Sequence, residues 1–218
     1  CGIEMNTLLS GGSILFGHNQ DTFFRDLVQT KPTVFRTGPR LWEEFHPALC
    51  HFDNNNPKAA LETIGLDKVR VAFSGAAPIP PDTLTWFHNI DFEILEGYGM
   101  TEFAGVTHAN SPGKVKIGSV GVTLGSIQHK ISDAGEVLVK SPSNTPGYYQ
   151  DSNKTHELYS EDGFIKTGDK GEIDSDGYLK IIGRFKEIFK TSKGKYISPA
   201  PIENILGAHP QVEACCVI

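Results

Sequence analysis

The segment "VRVAFSGAAPIPPDTLTWFHNIDFEIL", residues 69–95, decides the fold class. Its first part, "VRVAF", has the short apolar composition of a buried strand, and "SGAAPIP" is typical of a loop that leaves such a strand. "PPDTLTWFHNI" predicts a helix, because Pro81 and Asp82 are favoured in a first helical turn. "DFEIL" predicts the next strand. Strand, loop, helix and strand in this order indicate the crossover of a parallel sheet in an α/β fold.

The residues that follow, "EGYGMTEFAG" at 96–105, predict a binding loop. Glycines on both sides of a tyrosine let the backbone turn sharply, and parallel sheets bind ligands where their strands end. Thr101 and Glu102 offer a hydroxyl and a carboxylate side by side, which suit a phosphate oxygen and its magnesium ion. A plain strand-to-helix turn with a solvated Glu102 explains the decapeptide equally well. The rest of the chain has to decide between the two.

Composition excludes several classes of protein. The chain has 218 residues, 39% of them hydrophobic, and a net charge of -6, which disfavours a nucleic-acid surface. No apolar run approaches the roughly 20 residues of a membrane span, and no signal peptide is recognisable. The four cysteines have no paired spacing and favour reduced, buried thiols. We therefore expect a cytoplasmic protein, with peripheral membrane contact left open.

The pattern of secondary-structure signals changes twice along the sequence, which predicts three parts. Residues 1–110 carry the α/β signals of a large domain. Residues 111–183 carry repeated Asp-Gly and Asp-x-Gly turns beside alternating apolar segments, which predict an antiparallel barrel or meander. Residues 184–218 predict a basic hinge and the beginning of a small α+β C-terminal domain. There we expect a helix from near Ser198 to about Gly207 and then a strand, "VEACCVI".

Four motifs occur in a fixed order: "SGAAP", "EGYGMTE", "KTGD" at 166–169, and "GRFKEIFKTSKGKYISPAPIE" at 183–203. Together they resemble the adenylate-forming (AMP-binding) superfamily. Within it, "KPTVFRTGPRLWEEF" at 31–45 is most similar to long-chain fatty acyl-CoA synthetases. The resemblance implies a ligase that uses ATP and Mg²⁺ to convert a carboxylic acid, here a fatty acid, to an acyl-adenylate and transfers the acyl group to coenzyme A.

The chain departs from this family in two places. It contains no Ser/Thr/Gly-rich loop ending in Pro-Lys-Gly, which in the family handles pyrophosphate, and it lacks the distal C-terminal lysine. The resemblance therefore implies the middle and the hinge of an enzyme, and we expect these 218 residues alone to be inactive.

The resemblance also implies a set of ligand-contacting residues. These are Ser74, Gly75, Ala76, Ala77, Glu96, Gly97, Tyr98, Gly99, Met100, Thr101, Asp169, Arg184 and Gly194. Tyr98 would stack on adenine, while the loop at 74–77 passes along the edge of the base. The alternative for Tyr98 is a core tyrosine. The small residues at positions 97, 99, 104 and 105 would leave room for an acyl chain.

Three residues would act in catalysis: Thr101, Glu102 and Lys186. Thr101 would hydrogen-bond the α-phosphate, and Glu102 would hold the magnesium ion. Asp169 would accept hydrogen bonds from both ribose hydroxyls. Its alternative is an ordinary turn aspartate like Asp133 or Asp176, which look the same locally.

The basic stretch after residue 183 would form the hinge. Arg184 would contact the ribose or a phosphate, Lys186 would be the pivot of the small domain, and Gly194 would approach the pantetheine tunnel. A solvated basic face is the alternative for this stretch. Two other functions are left open: an adenylation enzyme that loads a carrier protein, and a nucleotide-binding regulator without catalysis.

Overall fold

The computed structural model describes residues 7–52, 56–191, 195–207, 209, 211–212 and 215–217. It divides into two compact units, Cys1–Leu95 and Glu96–Ile218.

The first unit is an α/β arrangement. Its strands β1 and β2 are parallel, and their register runs from the pair of Val34 with Val71 to the pair of Thr37 with Ser74. In chain order its elements are α1 (Phe23–Thr30), β1 (Val34–Thr37), α2 (Pro39–Leu49), α3 (Pro57–Thr63), β2 (Val71–Gly75) and α4 (Pro81–Asn89). Strand β3 (Ile94–Met100) starts at the end of this unit, so strand, loop, helix and strand follow one another as predicted.

Helix α4 begins as the sequence indicates, with Pro81 at its first position and Asp82 in its first turn. The apolar faces of α2 and α4 supply an aromatic core, since Trp42 and Phe87 are fully buried and their rings meet edge to face at 5.5 Å. Phe45, also buried, packs against Trp42 at 6.0 Å. Large rings of this kind contribute much of the apolar area that stabilises a unit of this size.

The second unit is almost entirely antiparallel. Strands β3 and β4 pair with each other, and β4 pairs with β5; a second sheet has the order β6-β7-β8-β9. The remaining strands are β4 (Gly105–Ala109), β5 (Val122–Thr123), β6 (Gln128–Ile131), β7 (Glu136–Lys140), β8 (Ile165–Ile173), β9 (Leu179–Arg184), β10 (Phe189–Lys190) and β11 (Tyr196–Ile197). Of the two predicted forms, barrel or meander, this sheet is an open meander. The predicted fold class is confirmed.

Two of the predicted hairpin turns form as the Asp-Gly chemistry indicates. Gly135 and Gly177 both have left-handed backbones, with φ of 86° and 83°. In the second turn the Asp174 carboxylate accepts the backbone N–H groups of Asp176 and Tyr178, each at 2.9 Å. This side-chain bonding is the reason that aspartate favours such turns.

Helix α5 (Ser152–Leu158) was not predicted from the sequence. Asp151 caps it by accepting the backbone N–H of Lys154 at 3.0 Å. Leu158 from this helix joins a core with Phe103, Val137 and Ile165. The helix is short enough that its apolar period gives little signal, although the capping aspartate was visible.

The C-terminal helix α6 (Pro199–Gly207) confirms the prediction, but the strand expected after it does not form at the described positions 212 and 215–217. The Val217 N–H donates instead to the Glu203 carboxylate at 2.9 Å, and the Cys215 thiol contacts the Glu203 carbonyl. A backbone donor held by a side chain is not available for a sheet ladder.

The cysteines are free, as expected, at the described positions 50, 215 and 216, but Cys50 and Cys216 are exposed rather than buried. None of the helices in the described ranges combines the length and the apolar character needed to cross a membrane.

Candidate functional site

Tyr98, Asp169 and Arg184 come together in the second unit from three distant stretches of sequence. The Tyr98 hydroxyl donates to Asp169 Oδ2 at 2.5 Å, and Arg184 Nε lies 3.0 Å from Asp169 Oδ1. Strand pairing sets this geometry, because Asp169 on β8 is directly opposite Arg184 on β9. We call these three residues the Asp169 cluster.

Burial separates Asp169 from the aspartates it resembles in sequence. Its side chain is 4% exposed, whereas Asp133 and Asp176 lie exposed in turns. Its backbone N–H donates to Thr167 Oγ1 at 3.1 Å. A buried carboxylate is costly unless its oxygens are paired, and here both are. Asp169 is therefore a buried, paired strand residue and not a turn residue.

Tyr98 lies beside a second aromatic ring in this site, at a tilted angle. Burial and the neighbouring Asp169 carboxylate raise the pKa of its hydroxyl, so the phenol stays protonated and remains a hydrogen-bond donor. Its ring centroid lies 5.9 Å from that of His108. A core tyrosine is the alternative to a ligand-binding one, and the ring does pack against the second-unit core while its hydroxyl reaches Asp169.

A pair of histidines, which no sequence pattern indicated, lies beside Tyr98. His108 is fully buried, its Nε2 lies 2.9 Å from His129 Nδ1, and its Nδ1 lies 3.0 Å from Thr107 Oγ1. Thr107 Oγ1 donates to the Tyr98 carbonyl at 3.3 Å, so it accepts from His108, and His108 in turn accepts from His129. Burial first, and then the His129 ring, lower the pKa of His108 to about 3. The chain of donors thus runs through neutral rings to the backbone of Tyr98.

The sequence predicted a loop at residues 96–105, but residues 96–100 form the second part of strand β3. Strand β3 continues to Met100, and the backbone irregularity between Tyr98 and Gly99 lies within its pairing to β4. A Cβ at Gly99 would come within 1.9 Å of the Gly105 carbonyl oxygen. This glycine therefore permits close approach of a neighbouring backbone, and it leaves no evident room for an acyl chain at that position. The predicted site residues on this strand are Glu96, Gly97, Tyr98, Gly99 and Met100.

Thr101 and Glu102 follow in a single 3₁₀ turn, Thr101–Phe103, which Ala104 ends with a left-handed backbone at φ 59°. Thr101 is exposed and Glu102 is half-buried. Glu102 Oε1 accepts the Tyr148 hydroxyl at 2.8 Å, and this bond raises the pKa of Tyr148.

A magnesium ion fits this turn in chemical terms. In the described part of the chain Glu102 Oε2 has no hydrogen-bond partner, and its Thr101 neighbour adds a hydroxyl. Across the same residues no group of three or more His, Cys, Asp or Glu could hold a metal. Magnesium is commonly bound by one or two carboxylates together with the phosphates of a nucleotide, so a single glutamate is a sufficient protein contribution.

The predicted hinge starts at the last residue of β9. Glu187 N donates to the Arg184 carbonyl at 3.0 Å, which closes a turn, and Lys186 is exposed within it. Behind the turn, the Ser198 hydroxyl donates to the Ile182 carbonyl at 3.0 Å. Gly194, the predicted contact to the pantetheine tunnel, lies outside the described residues.

The loop at 74–77 belongs to the first unit. Ser74 is the fourth residue of β2 and fully buried, and its hydroxyl has no hydrogen-bond partner in the part of the chain that the structure describes. Gly75 ends the strand, while Ala76 and Ala77 are exposed. Ala76 has a φ of 73°, a backbone conformation that is uncommon for alanine and that marks a specialised loop.

Comparison with known proteins shows a consistent family. Residues 1–149 match the family described as AMP-binding enzyme. A Mycobacterium tuberculosis protein named as fatty-acid–CoA ligase fadD11 is 45% identical over 152 residues, which are 69% of this chain and 27% of that protein. A Dictyostelium discoideum protein named as 4-coumarate–CoA ligase 1 is 36% identical over 172 residues, 72% of this chain and 31% of the relative. The solved structure of the ATP-bound RpMatB-BxBclM chimera B1 superposes with a TM-score of 0.81 at 28% identity, covering 99% of this chain and 43% of its own.

The chain belongs to the AMP-binding enzyme family, the adenylate-forming enzymes that its motifs resemble. Within that family its relatives carry the names of acid–CoA ligases. The chain spans about a quarter to a third of the length of the curated relatives named above, 27% and 31% respectively.

Proposed function

We propose that the protein carrying this chain is an AMP-forming acid–CoA ligase that activates long-chain fatty acids. The observation that carries the proposal is the Asp169 cluster, because it joins the residues assigned to adenine, ribose and phosphate at hydrogen-bond distance. The names of the relatives support the ligase class. They differ in the acid, fatty in one and 4-coumaric in the other, so the choice of a fatty acid rests on the motif at residues 31–45.

Each residue of the cluster has a task in this proposal. Asp169 offers two acceptor oxygens to the two ribose hydroxyls, replacing the Tyr98 and Arg184 donors that hold it in the free protein. Arg184 then turns its fork of donors to the ribose or a phosphate, and the Tyr98 ring carries the adenine on its face. The Ser74–Ala77 stretch is proposed to pass along the edge of the base.

Thr101 and Glu102 serve the phosphates in this proposal. The Thr101 hydroxyl donates to an α-phosphate oxygen, and Glu102 holds the magnesium ion, which neutralises phosphate charge. The carboxylate of the acid attacks the α-phosphorus, pyrophosphate leaves, and the thiol of coenzyme A then displaces AMP from the acyl-adenylate. Such a reaction needs positioning and charge stabilisation more than a protein nucleophile.

The experiment is acid-dependent exchange of labelled pyrophosphate into ATP by the full-length protein. We expect exchange with palmitate, weaker exchange with 4-coumarate, and a thioester with coenzyme A but not with a carrier protein. Exchange with 4-coumarate that exceeds palmitate would overturn the fatty-acid assignment. Absence of exchange with every acid, in the presence of ATP binding, would identify a nucleotide-binding regulator.

The three parts at 1–110, 111–183 and 184–218 are also part of this proposal, with Lys186 as the pivot between the second and third. Lys186→Pro fixes one backbone torsion in the turn that starts at Arg184. It should leave pyrophosphate exchange intact and reduce thioester formation from pre-made acyl-adenylate steeply. Lys186→Ala, which keeps backbone freedom, is the control and should retain both reactions. Equal loss of both reactions in the proline variant would place Lys186 in the ATP site or in the folded core.

A further inference from the structure

The loop of residues 143–151 holds the turn that carries Glu102. Thr145 N donates to the Glu102 carbonyl at 2.7 Å, and the Tyr148 hydroxyl donates to Glu102 Oε1 at 2.8 Å. One loop therefore fixes both the backbone and the side chain of the same glutamate. The two contacts come from positions more than 40 residues away in sequence, so only the fold brings them together.

A third contact makes the attachment rigid. The Ser143 hydroxyl donates to the Phe103 carbonyl at 2.8 Å, and the Phe103 side chain is buried in the second-unit core. The Tyr159 hydroxyl donates to the Thr145 carbonyl and so holds the loop itself. The turn is thus anchored both at Glu102 and at the residue that follows it.

Tyr148 is itself held in place by α5. Its backbone N–H donates to Thr155 Oγ1 at 2.9 Å, and the Thr155 hydroxyl donates to the Asp151 carbonyl at 2.8 Å. The preceding Gly147 has a φ of 146°, and a Cβ there would lie 2.5 Å from Thr155 Cγ2. Because only glycine fits at 147, the backbone leading into Tyr148 is confined to this close approach to the helix.

The contact leaves Glu102 half engaged. Tyr148 donates its single proton to Oε1, and within the described ranges Oε2 accepts no hydrogen bond. A carboxylate bonded at one oxygen loses rotational freedom while its second oxygen remains able to bind a cation. Outer residues of this kind fix the orientation of metal ligands in many proteins.

We propose that Tyr148 is a positioning residue for the ligase reaction, which holds Glu102 by one oxygen so that the other is presented to the magnesium ion of the bound nucleotide. The proposal rests on the function proposed above. Tyr148 contacts neither substrate nor metal and acts through Glu102.

The chain supplies a matched control in the next residue. Tyr149 is 90% exposed, and its hydroxyl contacts only the Gln150 amide, at 3.3 Å, among the interactions of the described residues. Tyr148→Phe and Tyr149→Phe remove the same atom from adjacent positions. They differ in whether the lost hydroxyl belongs to Glu102.

The test is made on the full-length protein with Mn²⁺ as the probe, titrated by electron paramagnetic resonance in the presence of α,β-methylene-ATP. Tyr148→Phe should weaken Mn²⁺ binding by about tenfold, at the low end of what loss of a residue orienting a metal ligand causes. In pyrophosphate exchange it should raise the Mg²⁺ concentration for half-maximal rate by a similar factor, while the rate at saturating Mg²⁺ is retained. Tyr149→Phe should match the wild type in both.

The Glu102→Gln variant distinguishes failure of the Tyr148 role from failure of the magnesium role of Glu102. If Glu102→Gln leaves Mn²⁺ affinity unchanged, the magnesium role of Glu102 is wrong. If Glu102→Gln weakens Mn²⁺ binding but Tyr148→Phe leaves it equal or tighter, only the role of Tyr148 is overturned. In the double variant, Tyr148→Phe should add nothing to the loss from Glu102→Gln, and an additive loss would show that Tyr148 acts elsewhere. The midpoint of thermal unfolding verifies that each variant is folded.

Discussion

The two carboxylates assigned to the nucleotide, Asp169 and Glu102, are held in opposite ways. Asp169 is buried on a strand, and both its oxygens are taken, one by Tyr98 and one by Arg184. Glu102 is half-buried on a short turn, with one oxygen bonded to Tyr148. A buried carboxylate needs hydrogen-bond partners even without a ligand, because water cannot solvate it. A partly solvated carboxylate can leave one oxygen to water. We therefore propose that the nucleotide replaces the present partners of Asp169, whereas at Glu102 a magnesium ion adds to the hydrogen bond already there.

Glu102→Gln should have the largest effect on activity. The change keeps the shape of the side chain and removes the charge proposed to hold magnesium, so pyrophosphate exchange should fall on the order of a hundredfold, as for loss of one charge-stabilising group. Stability should change little because the residue is on a surface turn. Normal pyrophosphate exchange by the variant at low Mg²⁺ would contradict the proposed magnesium role of Glu102.

Asp169→Asn should have the second largest effect. Hydrogen bonds to a charged group contribute about 1.5–3 kcal/mol, so ATP affinity should fall roughly tenfold to a hundredfold, measured by calorimetry. The amide oxygen can still accept from Tyr98, which preserves the fold. Asp133→Asn, at an exposed turn with the same Asp-x-Gly appearance, is the control and should bind ATP as the wild type does. Equal losses in the two variants would contradict the distinction that burial makes.

Acid should lower the free energy of unfolding through His108, which is buried beside Tyr98. This is the smallest of the expected effects. The folded-state pKa of His108 is lowered from 6.5 to about 3, so between these values the unfolded chain binds the extra proton. Stability is then full above pH 6.5 and falls as the pH drops, by about 2 kcal/mol at pH 5. Thermal unfolding at pH 7 and pH 5 measures the loss. His108→Gln should reduce it, and His156→Gln, at an exposed position in the same unit, should not.

Local chemistry explains which parts of the fold the sequence predicted. Three confirmed predictions rest on signals that operate over a few residues. They are the start of α4 at a proline, the hairpin turns at aspartates and the helix after Ser198. The error at residues 97–100 has the same origin. Glycines there suggested a loop, but Gly99 serves a close strand contact with Gly105, which depends on a partner that no local pattern reveals.

Only those residues of the candidate site that lie in sequence motifs could be predicted. The order of motifs separated Asp169 from Asp133, and the structure adds the burial and the two partners that distinguish them physically. Tyr148 and the histidine pair His108 and His129 gave no signal, because each acts through contacts at long sequence separation. The roles of the site residues stay predictions until ligands are measured.

The most direct test of the Asp169 site compares ATP with 2′,3′-dideoxy-ATP in binding to the wild-type protein and to Asp169→Asn. If Asp169 receives the ribose hydroxyls, the wild type should prefer ATP by about tenfold or more, since two hydrogen bonds to a charged acceptor are lost with the dideoxy nucleotide. In Asp169→Asn most of this preference should disappear. An undiminished preference for ATP in the variant would contradict the account, because the hydroxyls would then be bound by other groups.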